Sequence, residues 1–147
     1  MAYDQFTRSL PMMLYRTLDA IMPRFRRIFS EFDLTEQQWR VLRVLWESGR
    51  STIGELSEVT LLPAPSLVGI VDRLEQRGLV ARRRSEEDRR KVFVLVTAEG
   101  AELEAQIMPL VASAYADLKQ SVDVDTWAAV LAGLRQIVVE GRVKRSE

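Results

Sequence analysis

Six of the ten residues from Arg82 to Lys91 are cationic (Arg82, Arg83, Arg84, Arg89, Arg90, Lys91) and three are acidic (Glu86, Glu87, Asp88). That is a local excess of +3 in a chain whose 21 basic and 21 acidic residues balance overall. Guanidinium groups gathered this way suit a polyanion, because each presents a rigid fork of donors and their summed field draws the anion in. The run lies between Gly78-Leu79-Val80-Ala81 and Val92-Phe93-Val94-Leu95-Val96-Thr97, both of strand composition, so it reads as the charged tip of a β-hairpin. Arg90 is the arginine expected to enter a narrow A·T-rich minor groove, where negative potential concentrates. Arg82, Arg83, Arg89 and Lys91 are phosphate candidates. Asp88 would be repelled by DNA as a bare carboxylate and is expected to orient a neighbouring arginine.

Such a hairpin needs a body to hold it. Leu14, Leu18, Ile21, Phe25, Ile28 and Phe32 recur at steps of three and four, one apolar seam on a long first helix that Pro23 is expected to bend. Thr35-Glu36-Gln37-Gln38 has the form of a capping box and opens a second helix that runs through Trp46 and ends at Gly49. Thr52-Ile53-Gly54-Glu55 repeats the signal for a short third helix to about Val59, after which Leu61-Leu62-Pro63-Ala64-Pro65 should be extended. A fourth helix is expected over Pro65 to Arg77, with Leu67, Ile70, Val71 and Leu74 facing the core and Gly78 closing it. Beyond Thr97, Leu103, Ile107, Leu110, Ala114 and Leu118 mark a fifth helix, and Trp127, Leu131, Leu134 and Val138 a sixth.

Two short helices joined tightly and followed by a basic hairpin have the order of a winged helix-turn-helix. In that arrangement the second helix of the pair turns its N-terminal side chains to base edges in the major groove. Pro63, Ser66, Leu67, Val68 and Gly69 would lie nearest the bases. Ser66 can donate or accept and the apolar groups can meet thymine methyls, but no Asn, Gln or Arg in the first turn can make a bidentate base contact. Direct readout should be modest, with Arg73 and Arg77 on phosphates that set register without specifying sequence.

The expected fold class is mainly α with a small β wing. One domain over 1–147 is expected, with a reader lobe at 35–100 and dimerisation helices at 4–32 and 98–142, since helices from both ends carry apolar residues that a second copy would cover. No apolar run approaches the roughly 18 residues needed to cross a bilayer and the N-terminus lacks a secretory pattern, so no membrane partner and a cytoplasmic location are expected. The chain has no cysteine and no histidine. A disulfide framework and a thiol switch are thereby excluded, and the commonest metal ligand and general base are missing. No metal, cofactor or catalytic residue is expected: there is no Gly-rich phosphate loop, and the Glu86-Glu87 pair sits on an exposed tip. Two readings remain, a DNA-binding regulator and a winged-helix interaction module whose hairpin meets an acidic protein. Steep loss of duplex binding with salt would favour the first.

Over nearly its whole length the chain resembles MarR-type winged-helix transcriptional regulators. The carriers are Leu34-Thr35-Glu36-Gln37-Gln38-Trp39-Arg40-Val41-Leu42, Val71-Asp72-Arg73-Leu74-Glu75-Gln76-Arg77-Gly78-Leu79-Val80, and Asp88-Arg89-Arg90 with Thr97-Ala98-Glu99-Gly100. Val96 departs from the leucine usual before the threonine, and Leu67-Val68-Gly69 is unusually apolar. The resemblance implies a triangular homodimer, a pseudopalindromic operator, repression, and release by a small, often aromatic ligand bound between the dimer helices and the reader lobe. It also supports Arg90 as the minor-groove arginine.

A narrower likeness, to regulators of homoprotocatechuate (aromatic acid) degradation, is carried by Arg8-Ser9-Leu10-Pro11-Met12, Leu14 to Arg16, Arg24-Phe25-Arg26, Thr35 to Arg43, and Pro65-Ser66-Leu67 with Gly69-Ile70. Arg16-Thr17-Leu18-Asp19 stands where that subgroup tends to have Arg-Ala-Arg-Glu. An aromatic carboxylate effector would need a fixed cation beside apolar walls, which nominates Arg16 and Arg43 with Trp39 as a wall. Against this, Trp39 beside Leu42 also suits a core position, and Arg16 could pair with Asp19 or with the other subunit.

Overall fold

The computed structural model describes residues 2–145. A single turn, α1 (Asp4–Thr7), precedes the long α2 (Leu10–Glu31), in which Pro11 sits near the start and Pro23 is accommodated inside. Of the predicted seam Phe25 is buried, Ile21, Ile28 and Phe32 are half-buried, and Leu14 and Leu18 are exposed; Phe29, outside that seam, is also buried.

The next helices start where the capping signals stand. In α3 (Glu36–Ser48), Thr35 Oγ1 accepts the Gln38 N–H at 3.1 Å and Gln38 Oε1 accepts the Thr35 N–H at 3.1 Å. In α4 (Ile53–Thr60), Thr52 Oγ1 accepts the Glu55 N–H at 3.2 Å and Glu55 Oε2 accepts the Thr52 N–H at 2.8 Å. Each box satisfies two helix-end donors that would otherwise lack a partner.

Between α4 and α5 (Ala64–Gln76) the chain is not the extended run expected from its prolines. Leu61 turns left-handed at φ 60°, its N–H donating to the Ser57 carbonyl to close α4. Leu62 is then pulled inward, and its carbonyl accepts the Ser57 hydroxyl at 2.7 Å. Pro63, extended, is the cap position, so α5 starts one residue before Pro65.

The wing is β2 (Val80–Arg84) and β3 (Val92–Val96), antiparallel, with Arg82 opposite Val94 and Arg84 opposite Val92. A third strand, β1 (Arg50–Ser51), pairs with β3 to give the order β1-β3-β2. At two residues β1 is too short to carry a strand signal, and it was not expected. Val41, Leu42 and Leu45 of α3, Leu56 of α4, Leu67, Val71 and Leu74 of α5, and Val80 and Val94 of the wing form one enclosed core.

α6 (Ala98–Lys119) begins against the base of the wing. Thr97 Oγ1 donates to the Gly78 carbonyl at 2.5 Å and accepts the Gly100 N–H at 3.1 Å. A Cβ at Gly100 would stand 2.2 Å from the Leu79 carbonyl oxygen, and Gly78 leaves α5 at φ 74°. The Thr-x-x-Gly motif is thus a close-approach device: the hydroxyl clamps two elements and only glycine lets the backbones touch.

The chain divides into two compact units, one ending at Val111 and the other beginning at Ala112. In the second, α7 (Val124–Val143) starts at Asp123, whose carboxylate accepts both the N–H and the hydroxyl of Thr126, at 2.8 and 2.6 Å. Thr126 holds the Asp123 carboxyl below its ordinary value, the side-chain hydrogen bond contributing most and the backbone bond next. Tyr115 meets Trp127 edge-on at 5.6 Å between ring centroids. No residue of α7 is buried.

Candidate nucleic-acid interface

β-strand alternation sorts the wing arginines. Arg82 turns toward α5, where Nη2 lies 2.7 Å from Asp72 Oδ1 and 3.3 Å from the Val68 carbonyl and Nη1 lies 3.0 Å from Glu75 Oε1. Arg84 shares that face of the sheet further out, and Arg83 points to the other. On that other face the Arg50 guanidinium lies 4.4 Å from the centroid of the Phe93 ring. Arg83, Arg84, Arg89, Arg90 and Lys91 are exposed and, among the described residues, carry no ion pair.

The tip is shaped by backbone bonds. Asp88 Oδ1 accepts the Arg90 N–H at 3.1 Å, the Asp88 N–H donates to Ser85 Oγ at 3.2 Å, and the Lys91 N–H donates to the Asp88 carbonyl at 2.9 Å. Asp88 therefore orients Arg90 through its main chain, as an Asx-turn, and holds no guanidinium. Where Asp88 was expected to orient a neighbouring arginine, its carboxylate bonds the Arg90 peptide N–H.

The reading helix presents its start to solvent. Pro63 and Pro65 have no N–H and no side chain caps the end, which leaves the Ala64 and Ser66 N–H groups as first-turn donors at the positive end of the helix dipole. Pro63, Ser66 and Val68 are exposed, Gly69 is half-buried, and Arg73 is exposed without an ion pair among the described residues.

Four expectations change with the geometry. Leu67 is fully buried, so its side chain cannot reach a base; the helical period that assigned it to the core outweighs its place in the first turn. Arg77 donates from Nη1 to the Asp33 carbonyl at 2.7 Å and from Nη2 to the Phe32 carbonyl at 2.9 Å. Its fork ties the end of α5 to the end of α2 rather than standing ready for phosphate. Arg82, paired to two carboxylates, likewise leaves the phosphate set. Arg16 is exposed on α2, thirteen residues before Phe29, which at a helical rise of about 1.5 Å per residue is about 20 Å along the axis. Because Phe29 is where α2 meets Trp39, Arg16 of the same chain does not join Trp39 and Arg43.

Trp39 stacks on Phe29 at 4.6 Å with 20° between planes and meets Trp46 edge-on at 5.6 Å. It is half-buried, so one part is core and another faces out. Arg43, one turn on, shares the face of α3 that carries Trp39, with Nη2 2.7 Å from Glu47 Oε1. Two exposed cations had no DNA contact assigned to them from the sequence, Arg50 and Arg84. Arg84 was within reach, since a strand period of two puts it beside Arg82 and away from Arg83; Arg50 required β1.

The sequence profile of the MarR family matches residues 34–92, from the residue before the first capping box to the start of β3. The Escherichia coli homoprotocatechuate degradative operon repressor is 30% identical over 139 residues, 95% of this chain and 94% of that protein. The chain belongs to the MarR family. Two solved structures extend the likeness of this MarR-family chain. NadR in complex with 4-hydroxyphenylacetate has a TM-score of 0.77 at 32% identity, covering 88% of this chain and 92% of that one. The repressor CouR bound to a 23-mer DNA duplex has a TM-score of 0.83 at 28% identity, covering 92% and 96%. No helix among the described residues of the MarR-family chain is long and apolar enough to cross a membrane.

Proposed function

We propose that this MarR-family protein is a homodimeric, sequence-specific DNA-binding transcriptional regulator, a cytoplasmic repressor that leaves a pseudopalindromic operator when a small aromatic carboxylate binds. The observation that carries the reading is the set of unpaired cations on the wing, Arg83, Arg84, Arg89, Arg90 and Lys91, beside a reading helix whose N-terminus is uncapped. Ser66 and Val68 face the major groove, the Ala64 and Ser66 N–H groups and Arg73 take phosphates, and Arg90 enters the minor groove. The complex of CouR with a duplex supports this use of the fold.

The second copy covers what one chain leaves open. Leu10, Met13, Leu14 and Leu18 of α2 and Val130, Ile137 and Val138 of α7 are exposed. Exposed apolar residues at this density mark an interface. The reader lobe is then 35–100, and helices within 4–32 and 98–142 dimerise. Trp39 and Arg43 are the effector residues, wall and cation on one helix face, with Arg16 contributing only across the dimer. The ligand in the NadR complex and the name of the E. coli repressor support an aromatic acid as the class.

The test is fluorescence anisotropy on duplexes tiling the DNA beside the protein's own gene, with excess random duplex. One duplex held against competitor, and released by added 4-hydroxyphenylacetate or a related aromatic acid, is the expected result. Uniform binding that competitor removes would point to the interaction module instead. Retention of the operator under a panel of aromatic acids would reject the effector class while leaving the regulator intact.

A further inference from the structure

Among the described residues, Asp33 at φ 53° and Leu61 at φ 60° are the non-glycine residues with positive φ. A short acidic side chain tolerates the left-handed region, but a leucine there sets its Cβ against the following carbonyl. Leu61 is also 78% exposed, with Val59 beside it at 64%. Both features are unfavourable, and the fold nevertheless holds the turn firmly. The Leu61 N–H donates to the Ser57 carbonyl at 3.0 Å, the Ser57 hydroxyl to the Leu62 carbonyl at 2.7 Å, and the Leu62 N–H to Thr60 Oγ1 at 3.3 Å. From α3, Arg40 Nη1 donates to the Thr60 carbonyl at 3.3 Å. Within this set of bonds Leu62 turns into the core and Leu61 turns out. A backbone held in a sparsely populated region by its surroundings points to a use for the side chain it displays.

We propose that Leu61 is a specificity-determining residue that reads the C5-methyl of a thymine beside the start of the reading helix. The inference rests on the DNA-binding reading above. Pro63, the cap of α5, follows two residues later, so the two Cα atoms lie within about 7.6 Å of each other and Leu61 accompanies the end of α5 that enters the groove. A leucine side chain has no donor and no acceptor, and the thymine methyl is the apolar group that a base pair offers in the major groove. The contact comes from the turn and not from the helix, and it adds to the one open to Val68. Because the turn is already fixed, little ordering entropy offsets the contact on binding.

The test measures the whole chain on its operator and on random duplex, with thermal unfolding as a check on the fold. Operator thymines are replaced by deoxyuridine, which lacks only the methyl, one position at a time and symmetrically in both half-sites. Wild type should lose about fourfold per half-site at the thymine under Leu61, the effect of one methyl returned to water. Leu61→Gly should weaken the unmodified operator by at least as much, bind random duplex as wild type does, and no longer respond to deoxyuridine at that position. Its responses elsewhere, including any that Val68→Ala removes, should persist. Its unfolding midpoint should not fall, because glycine takes this φ freely. Leu61→Asn, whose side chain also suits the turn, should lose the same response and decides the matter should Leu61→Gly fail to fold. Wild-type operator affinity in Leu61→Gly, or a deoxyuridine profile unchanged from wild type, would overturn the proposal and leave the turn for a protein partner. Equal weakening on both duplexes with a lowered midpoint would make Leu61 a structural support and overturn it as well. A wild-type protein that prefers no duplex would overturn the DNA-binding reading together with this one.

Discussion

Helices α5 and α7 carry apolar residues at helical spacing, yet they end in opposite states. The thirteen residues of α5 bury Leu67, Ile70, Val71 and Leu74, whereas the twenty of α7 bury none, and Val124 is 83% exposed. The difference lies in what the chain supplies opposite each. α5 meets α3, α4 and β2, all delivered within a short span of sequence and all capped or clamped in place. Apolar residues such as Val130, Ile137 and Val138 of α7 are exposed. The core around α5 is thus enclosed by its own neighbours, while α7 buries none of its residues.

The comparison is broken most forcefully at α5. Leu74→Ala should cost about 2–5 kcal/mol in urea unfolding, because it empties a site with no solvent access. A loss near that of a surface substitution would mean that the reader core is not what holds the lobe. At α7, Ile137→Asp should leave the tryptophan near-ultraviolet signal of Trp39 and Trp46 in place. It should nevertheless shift the sedimenting species from dimer to monomer, since about 1.5–3 kcal/mol of burial per protomer is lost. An unshifted dimer would show that this face of α7 covers nothing. Thr52→Ala should cost about 1 kcal/mol by deleting one half of a capping box, read by the same urea unfolding.

The smallest effect is a pH effect on α7. The folded carboxyl of Asp123 titrates below its unfolded value, so its contribution is present above the unfolded pKa and lost as pH falls through the folded one. Protection of the Thr126 amide, its exchange relative to the intrinsic rate at each pH, should therefore fall in that acid window and stay constant above it, and Asp123→Asn should remove the dependence.

What could be read from residues alone was whatever is decided locally. The boxes at Thr35 and Thr52, the glycine ends at Gly49 and Gly78 and the charged hairpin depend on neighbours within a few positions, and they form as expected. The partner of a long flexible cation is not decided locally. Arg77 finds carbonyls 44 and 45 residues away, and Arg82 finds carboxylates on a helix whose angle to the wing is a tertiary fact. Leu67 failed for another reason: its period and its position gave conflicting assignments, and burial decided between them. Asp88 was locally legible, since an aspartate two residues before a turn amide is an Asx-turn signal.

The central claim is that the unpaired arginines of the wing read DNA, and Arg90 is where it can be tested most directly. Affinity should be measured for the wild-type protein and Arg90→Ala on the operator duplex and on one whose A·T pairs under the wing are replaced by G·C. The account predicts that Arg90→Ala weakens operator binding by about 1–3 kcal/mol and that the variant no longer distinguishes the two duplexes. Equal affinity of wild type and variant for the operator, with the A·T preference intact in both, would contradict it.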